Sequence, residues 1–99
     1  MRKVKTIMPT TRGTCYACGN NMGFELHHIF GGTANRKKSD YYGLVVWLCP
    51  MCHRDSVTGV HGANTALKKA LHTDGQAAFE RKYSRELFVK EFGKNFMEE

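Results

Sequence analysis

Two Cys-x-x-Cys pairs are the clearest chemical feature of this 99-residue sequence. They are Cys15-x-x-Cys18 and Cys49-x-x-Cys52, and 30 residues separate them. In a reducing cytosol such pairs are more often zinc ligands than disulfides, and four thiolates around Zn²⁺ form a closed, structural site. Four buried free cysteines would not explain two identical spacings. The sequence therefore predicts a structural zinc, with a β-hairpin in the gap between the pairs.

Four of the five histidines lie close to the second pair, at His27, His28, His53 and His61. His53 directly follows Cys52, and neighbours on a helix point about 100° apart. If Cys52 turns toward the zinc, His53 must therefore face a different site. A single histidine is usually a hydrogen-bonded structural residue, but four around one hairpin predict a second, metal-competent site. His72 is predicted to lie on the surface.

The positive charge is concentrated in the first part of the chain. The formal charge is +6, and residues 1–38 carry seven Lys or Arg against one acid, whereas residues 39–99 carry eight of each. The excess lies in the N-terminal arm and in the cluster Arg36-Lys37-Lys38. Binding of Lys and Arg to phosphates is favourable because it releases counterions. A polyanionic partner is therefore one interpretation. A merely soluble basic surface is the other.

Local patterns predict a hairpin followed by helices. Strands are expected at Phe24–Phe30 and Leu44–Leu48, paired antiparallel, with a polar loop at residues 31–43 between them. Pro50 suits the first turn of a short helix that runs to about Ser56. From about Asn64 the spacing is helical, although Gly75 argues against one continuous helix. Ser84 is the expected N-cap of a last helix, Arg85–Phe92, closed by Gly93.

These elements predict a single α+β domain that is stabilised by zinc. We expect a loose basic arm at residues 1–14, a zinc-bound core at 15–62, and a helical part at 63–99 whose aromatic side chains pack on the core. The sequence contains no apolar run of the roughly 18 residues that a membrane span needs, and no secretory h-region. A soluble, intracellular protein without a membrane partner is therefore expected.

The stretch from Cys15 to Gly62 resembles the HNH, or ββα-metal (His-Me finger), endonucleases. It is most similar to the small phage and prophage types that carry a four-cysteine structural zinc. The resemblance implies that His27 is a metal ligand at the end of the first strand and that His28 is the general base. It further implies that His53, on the helix after the second strand, and His61 complete the ligand set.

The activity implied by the resemblance is metal-dependent hydrolysis of DNA phosphodiester bonds, by nicking or cleavage. His28 would activate water, and one divalent metal would stabilise the charge on the scissile phosphate. An imidazole set suits Zn²⁺, Ni²⁺, Co²⁺ or Mn²⁺ better than Mg²⁺. Arg54 and the cluster Arg36-Lys37-Lys38 are the expected phosphate contacts, with weak sequence preference. The implied setting is the host cytoplasm, as a monomer or homodimer.

The chain departs from the family pattern at three points. His27 stands where Asp is common, and the spacing from His53 to His61 is longer than usual. Gly43 and Leu44 occupy the place of an Asn that braces the base, so Asn35 and Asp40 are the candidates for that role.

Two other functions fit parts of the sequence. One is a non-catalytic zinc module that binds nucleic acid or a protein partner in phage replication or recombination. The other is a redox protein, which is disfavoured because both Cys-x-x-Cys pairs are needed for one zinc and neither lies in a thioredoxin-like βαβ pattern.

Overall fold

The structure is a computed structural model that describes residues 4–98. Its elements in chain order are β1 Glu25–His28, α1 Thr33–Tyr42, β2 Val45–Leu48, α2 Pro50–Arg54, α3 Thr65–Lys82, α4 Arg85–Phe92 and a short 3₁₀ turn at Phe96–Glu98. The predicted α+β class is confirmed: a two-stranded antiparallel sheet packs with helices. Among the described residues, no helix is both long and apolar enough to cross a membrane.

The hairpin sets the positions of the first two histidines. β1 pairs antiparallel with β2, with His27 opposite Val46 and His28 opposite Val45. The predicted antiparallel pairing is therefore confirmed, although both strands are shorter than predicted. Glu25 lies opposite Leu48, so the start of β1 is next to the second cysteine pair. His28, at the other end of β1, is next to the connection between the strands.

The connection between the strands differs from the prediction. Residues 31–43 were expected to form a loop, but Thr33–Tyr42 is a helix. Its sequence is mostly polar, so it offers no apolar period from which a helix could be recognised. Contacts to the rest of the protein stabilise it instead, since Ser39 is fully buried. Gly43 ends α1 with a left-handed φ of +74°, a conformation that favours glycine.

Ser39 joins α1 to the end of β1. Its hydroxyl donates to the carbonyl oxygen of Phe30 at 3.0 Å and accepts from the Phe30 amide at 3.2 Å. Both backbone groups belong to a residue that is only 1 % exposed, and a buried polar group without a partner is costly. This contact therefore holds α1 beside β1.

Of the two C-terminal helices, α4 agrees with the prediction and α3 differs from it. α4 begins after Ser84, whose side chain accepts from the Leu87 amide at 3.1 Å, and ends at Gly93, as predicted. α3 is continuous through Gly75, where an interruption was expected. A Cβ at Gly75 would meet side-chain atoms of Ile29 and Phe30 at 3.0 and 3.1 Å. This glycine therefore lets α3 approach the end of β1 closely.

An aromatic cluster forms most of the core between the helices and the hairpin. Phe30, Phe79, Phe88 and Phe92 are each at most 5 % exposed, and their rings contact one another. The prediction that the tail aromatics pack on the core is confirmed for Phe79, Phe88 and Phe92. Tyr83 is more exposed, at 39 %, but its ring also lies against Phe79, with 4.8 Å between the ring centres.

The N-terminal segment packs against the hairpin instead of extending loosely. Thr6 donates its hydroxyl to the Val45 carbonyl at 2.7 Å, and Met8 is buried in the core. The prediction of a loose arm is therefore wrong for residues 4–14. The first three residues, which carry part of the predicted basic charge, lie outside the described residues.

Replacing Ser39 tests the contact that holds α1 in place. Ser39→Ala leaves the buried Phe30 amide and carbonyl without their partner, so we expect the free energy of unfolding to fall by about 1–3 kcal/mol. Thr33→Ala removes an exposed hydroxyl from the same helix and is expected to change stability by less than about 0.5 kcal/mol. Urea denaturation of the three proteins measures both changes, and equal stability of the two variants would contradict the assignment.

Candidate functional site

The four predicted zinc cysteines come together in the structure. The sulfur atoms of Cys15, Cys18, Cys49 and Cys52 all lie within 4.8 Å of one another. The Cys18 and Cys49 sulfurs are 3.8 Å apart, and a tetrahedron with Zn–S bonds of about 2.3 Å has edges of about 3.8 Å. The predicted grouping is therefore confirmed, and it fits a structural metal such as zinc.

Local structure brings each cysteine pair to this centre. Cys49 is the N-cap of α2, and its sulfur accepts from the Cys52 amide at 3.4 Å. The Cys15 sulfur accepts in the same way from the Cys18 amide at 3.5 Å, and Gly19 then turns the chain with a φ of +77°. A metal at this centre would fix the start of α2 relative to the N-terminal turn.

The ionisation of the cysteines also favours a cation. Burial raises the pKa of Cys15, but hydrogen bonds from backbone amides outweigh it and lower that pKa to about 6. Burial and the neighbouring thiols raise the pKa of Cys52 far above its ordinary value. Four sulfurs this close cannot all ionise without a compensating charge, which a bound divalent metal supplies.

A second cluster consists of three histidines. One ring nitrogen each from His27, His53 and His61 lies within 4.8 Å of the others. His27 is on β1, His53 is on α2, and His61 is in the loop that follows α2. A Cβ at Gly59 would lie 2.5 Å from the Asp55 amide nitrogen, so only glycine lets this loop fold back. In the structure the loop brings His61 back to His53, a contact that the sequence spacing alone did not settle.

His27 has the properties of a ligand rather than of a hydrogen-bonded structural histidine. It is 5 % exposed, and its Nδ1 is buried without a hydrogen-bond partner among the described residues. Burial, followed by the nearby His61 and His53, lowers its pKa to about 3. The ring is therefore neutral at ordinary pH, which is the form that binds a metal.

Glu25 orients His53 and was not identified from the sequence. Its carboxylate lies 2.8 Å from Nδ1 of His53 and also accepts from Nε of Arg54 at 2.9 Å. A carboxylate only accepts, so Nδ1 carries the proton and Nε2 has the lone pair. That Nε2 is 3.2 Å from Nε2 of His61, close to the roughly 3.3 Å expected between two nitrogens on a tetrahedral zinc. Glu25 precedes His27 by two residues on β1, so both side chains point to the same face of the strand. This spacing could have identified Glu25 as a residue of the site.

His28 pairs with a carboxylate from α1. Its Nε2 lies 2.9 Å from Oδ1 of Asp40. By the same reasoning Nε2 carries the proton, so Nδ1 has the lone pair that a general base needs. Of the two residues expected to brace this base, Asp40 makes the contact, whereas Asn35 lines the adjoining cavity.

One cavity of about 430 Å³ adjoins the histidines, although His53 is not in its described lining. His27, His28 and His61 form part of its wall, and α3 contributes Lys68 and His72. His72 was predicted to lie on the surface, but its ring lies 5.2 Å from that of Phe30 and 4.7 Å from that of Phe96. The spacing of four residues between Lys68 and His72, which gives them one helix face, was the signal that could have identified them.

The structure does not bring the predicted phosphate-binding residues to this cavity. Arg36 and Lys37 are exposed on α1, and Lys38 forms an ion pair with Glu91 at 3.7 Å. The Arg54 side chain is 67 % exposed and paired with Glu25. None of these four residues is in the described lining of the cavity.

Comparison with known proteins adds no information about this site. No protein-family model matches the chain, and neither a curated protein nor a solved structure is significantly similar to it. The chemistry of the site therefore follows from its geometry. Three imidazoles could hold a divalent metal, and a fourth, carboxylate-paired imidazole lines the same cavity as two of them, His27 and His61.

Glu25→Gln tests whether the three histidines hold a metal. Loss of the carboxylate on Nδ1 of His53 is expected to weaken metal binding by about 10–100-fold, because such partners orient the ligand and raise its basicity. Zn²⁺ titration of protein whose four-cysteine centre is already loaded measures this. Glu86→Gln, on the exposed start of α4, is the control and should match the wild type. Equal affinity of all three proteins would argue against the ligand assignment.

Proposed function

We propose that this protein is a metal-dependent endonuclease of the HNH type that hydrolyses phosphodiester bonds in DNA. The observation that carries the proposal is that His28, paired with Asp40, lines the same cavity as His27 and His61 of the three-histidine cluster. A histidine placed to act as a base and a metal-competent cluster beside one cavity are the two groups that metal-dependent hydrolysis of a phosphodiester uses.

The order of the elements supports the same proposal. The ligand His27 and the base His28 come from β1, and His53 comes from α2, the first helix after β2. This is the arrangement expected of a ββα-metal finger, with α1 inserted between its strands. The buried Nδ1 of His27, which has no hydrogen-bond partner within residues 4–98, fits a bound metal.

The side chains divide the work of the reaction. Nδ1 of His28 would accept a proton from the attacking water, while Asp40 holds the ring and stabilises its protonated form. The metal, held by His27, His53 and His61, would supply positive charge to the phosphoryl oxygens and the leaving 3′ oxygen. Three imidazoles favour Zn²⁺, Ni²⁺, Co²⁺ or Mn²⁺ over Mg²⁺.

Cleavage of supercoiled plasmid tests the proposal. With a panel of these ions the wild type should nick or linearise the plasmid, and His28→Ala should lower the rate by about 10²–10⁴-fold through loss of the base. Glu86→Gln is the control, because it changes an exposed side chain at the start of α4 that is in the described lining of neither the cavity nor the surface beside it. Activity of His28→Ala equal to that of the wild type would defeat the proposed base. Salt-dependent DNA binding without cleavage by any metal would favour the non-catalytic zinc module instead.

A further inference from the structure

A groove lined by lysines continues from the histidine cavity along α3. Lys68, Lys69 and Lys94 line it together with His72 and Phe96. Three of these residues, Lys68, His72 and Phe96, also line the histidine cavity. The two depressions therefore form one continuous surface. We call the part with the three lysines the lysine groove.

The lysine groove is positively charged and has no carboxylate in its described lining. Neither Lys68 nor Lys69 takes part in an ion pair within residues 4–98. Three of the four acids of α3 and α4 are engaged elsewhere: Asp74 accepts from the Tyr16 hydroxyl, Glu80 pairs with Arg85, and Glu91 pairs with Lys38. The fourth, Glu86, is exposed at the start of α4 and is not in the described lining of the groove. The positive charges of Lys68 and Lys69 are therefore not neutralised by an ion pair within the described residues.

The charge of the groove reaches the histidine cluster. Lys68 lines the histidine cavity together with His61, and it also lines the lysine groove. Lys68 therefore stands between the proposed metal site and the rest of the groove. Lys94 lies at the other end, with its ammonium 4.8 Å from the centre of the Phe96 ring.

We infer that the lysine groove binds the phosphate backbone of the polynucleotide on one side of the bond that is cut. This inference rests on the proposed function. It assigns the substrate contact to a surface that the distribution of charge along the sequence did not indicate. Residues 39–99 have no net charge, yet folding brings three of their lysines to the lining of one groove. Backbone phosphates are spaced along a strand, so a row of lysines leading away from the metal site matches them without reading sequence.

The basic cluster on α1 fits this role less well. Lys38 is paired with Glu91, and Asp40 lies on the same helix with a side chain that is 54 % exposed. Arg36 and Lys37 remain exposed but are not in the described lining of the cavity or of the groove. The basic cluster Arg36-Lys37-Lys38 is therefore not part of the described surface that the lysine groove and the histidine cavity form together.

The salt dependence of DNA binding tests the inference. All proteins carry His28→Ala and are loaded with metal, so that a short fluorescein-labelled DNA duplex is bound without being cut. Fluorescence anisotropy gives the affinity between about 50 and 200 mM salt. The test variant is Lys68→Gln/Lys69→Gln/Lys94→Gln. Its control, Arg81→Gln/Lys82→Gln/Lys90→Gln, loses the same charge at exposed positions outside the groove.

If each groove lysine contacts one phosphate, the slope of log affinity against log salt should fall by about 2.7 in the test variant. Its affinity at low salt should fall on the order of tenfold or more, while the control keeps the slope of the parent protein. Equal slopes for test and control would overturn the inference, as would a loss of slope only in Arg36→Gln/Lys37→Gln. Absence of duplex binding by the parent protein would also overturn it. Plasmid cleavage by the wild type, measured separately, shows whether the proposed function survives such a result.

Discussion

The arrangement of the candidate site depends on how a five-residue helix is held in place. α2 spans only Pro50–Arg54, and a helix this short is not stable by itself in water. Cys49 caps it, Cys52 lies within it, and both belong to the four-sulfur centre. A metal at that centre would connect α2 to the N-terminal turn, and His53 follows the last of these cysteines directly. The position of one candidate ligand is thus coupled to the structural centre beside it.

Two carboxylate–imidazole pairs then give His53 and His28 different chemistry. Glu25 leaves Nε2 of His53 available to a metal, whereas Asp40 leaves Nδ1 of His28 available to water. His27, next to His28 on β1, is buried and has no partner for its Nδ1 within the described chain. Neighbouring residues of the same type therefore differ in role because burial and hydrogen bonding differ.

Features that depend on local spacing could be predicted from the sequence. The paired Cys-x-x-Cys motifs, the antiparallel hairpin and the capped last helix are all present in the structure. α1 could not be predicted in this way, because its polar sequence is stabilised by tertiary contacts such as those of Ser39. The interruption predicted at Gly75 was also wrong, because this glycine does not break α3 but lets it lie close to the end of β1.

The residues that surround the histidines could also be identified only from the three-dimensional structure. Asp40 was one of two candidates until α1 placed it against His28. Lys68 and His72 join the cavity only because α3 packs on the end of β1. Charge counting pointed to the first part of the chain, whereas the lysines nearest the cavity lie in the part without net charge. Long-range packing, which sequence spacing does not encode locally, accounts for each of these differences.

Metal content per chain, after saturation with Zn²⁺ and removal of free ion, tests most directly whether two metal sites meet at α2. The wild type should retain two ions, and His53→Ala should retain one while remaining folded, because the four-cysteine centre does not use that ring. One ion in both proteins would contradict the three-histidine site. Loss of all metal from His53→Ala would contradict the separation of the two centres.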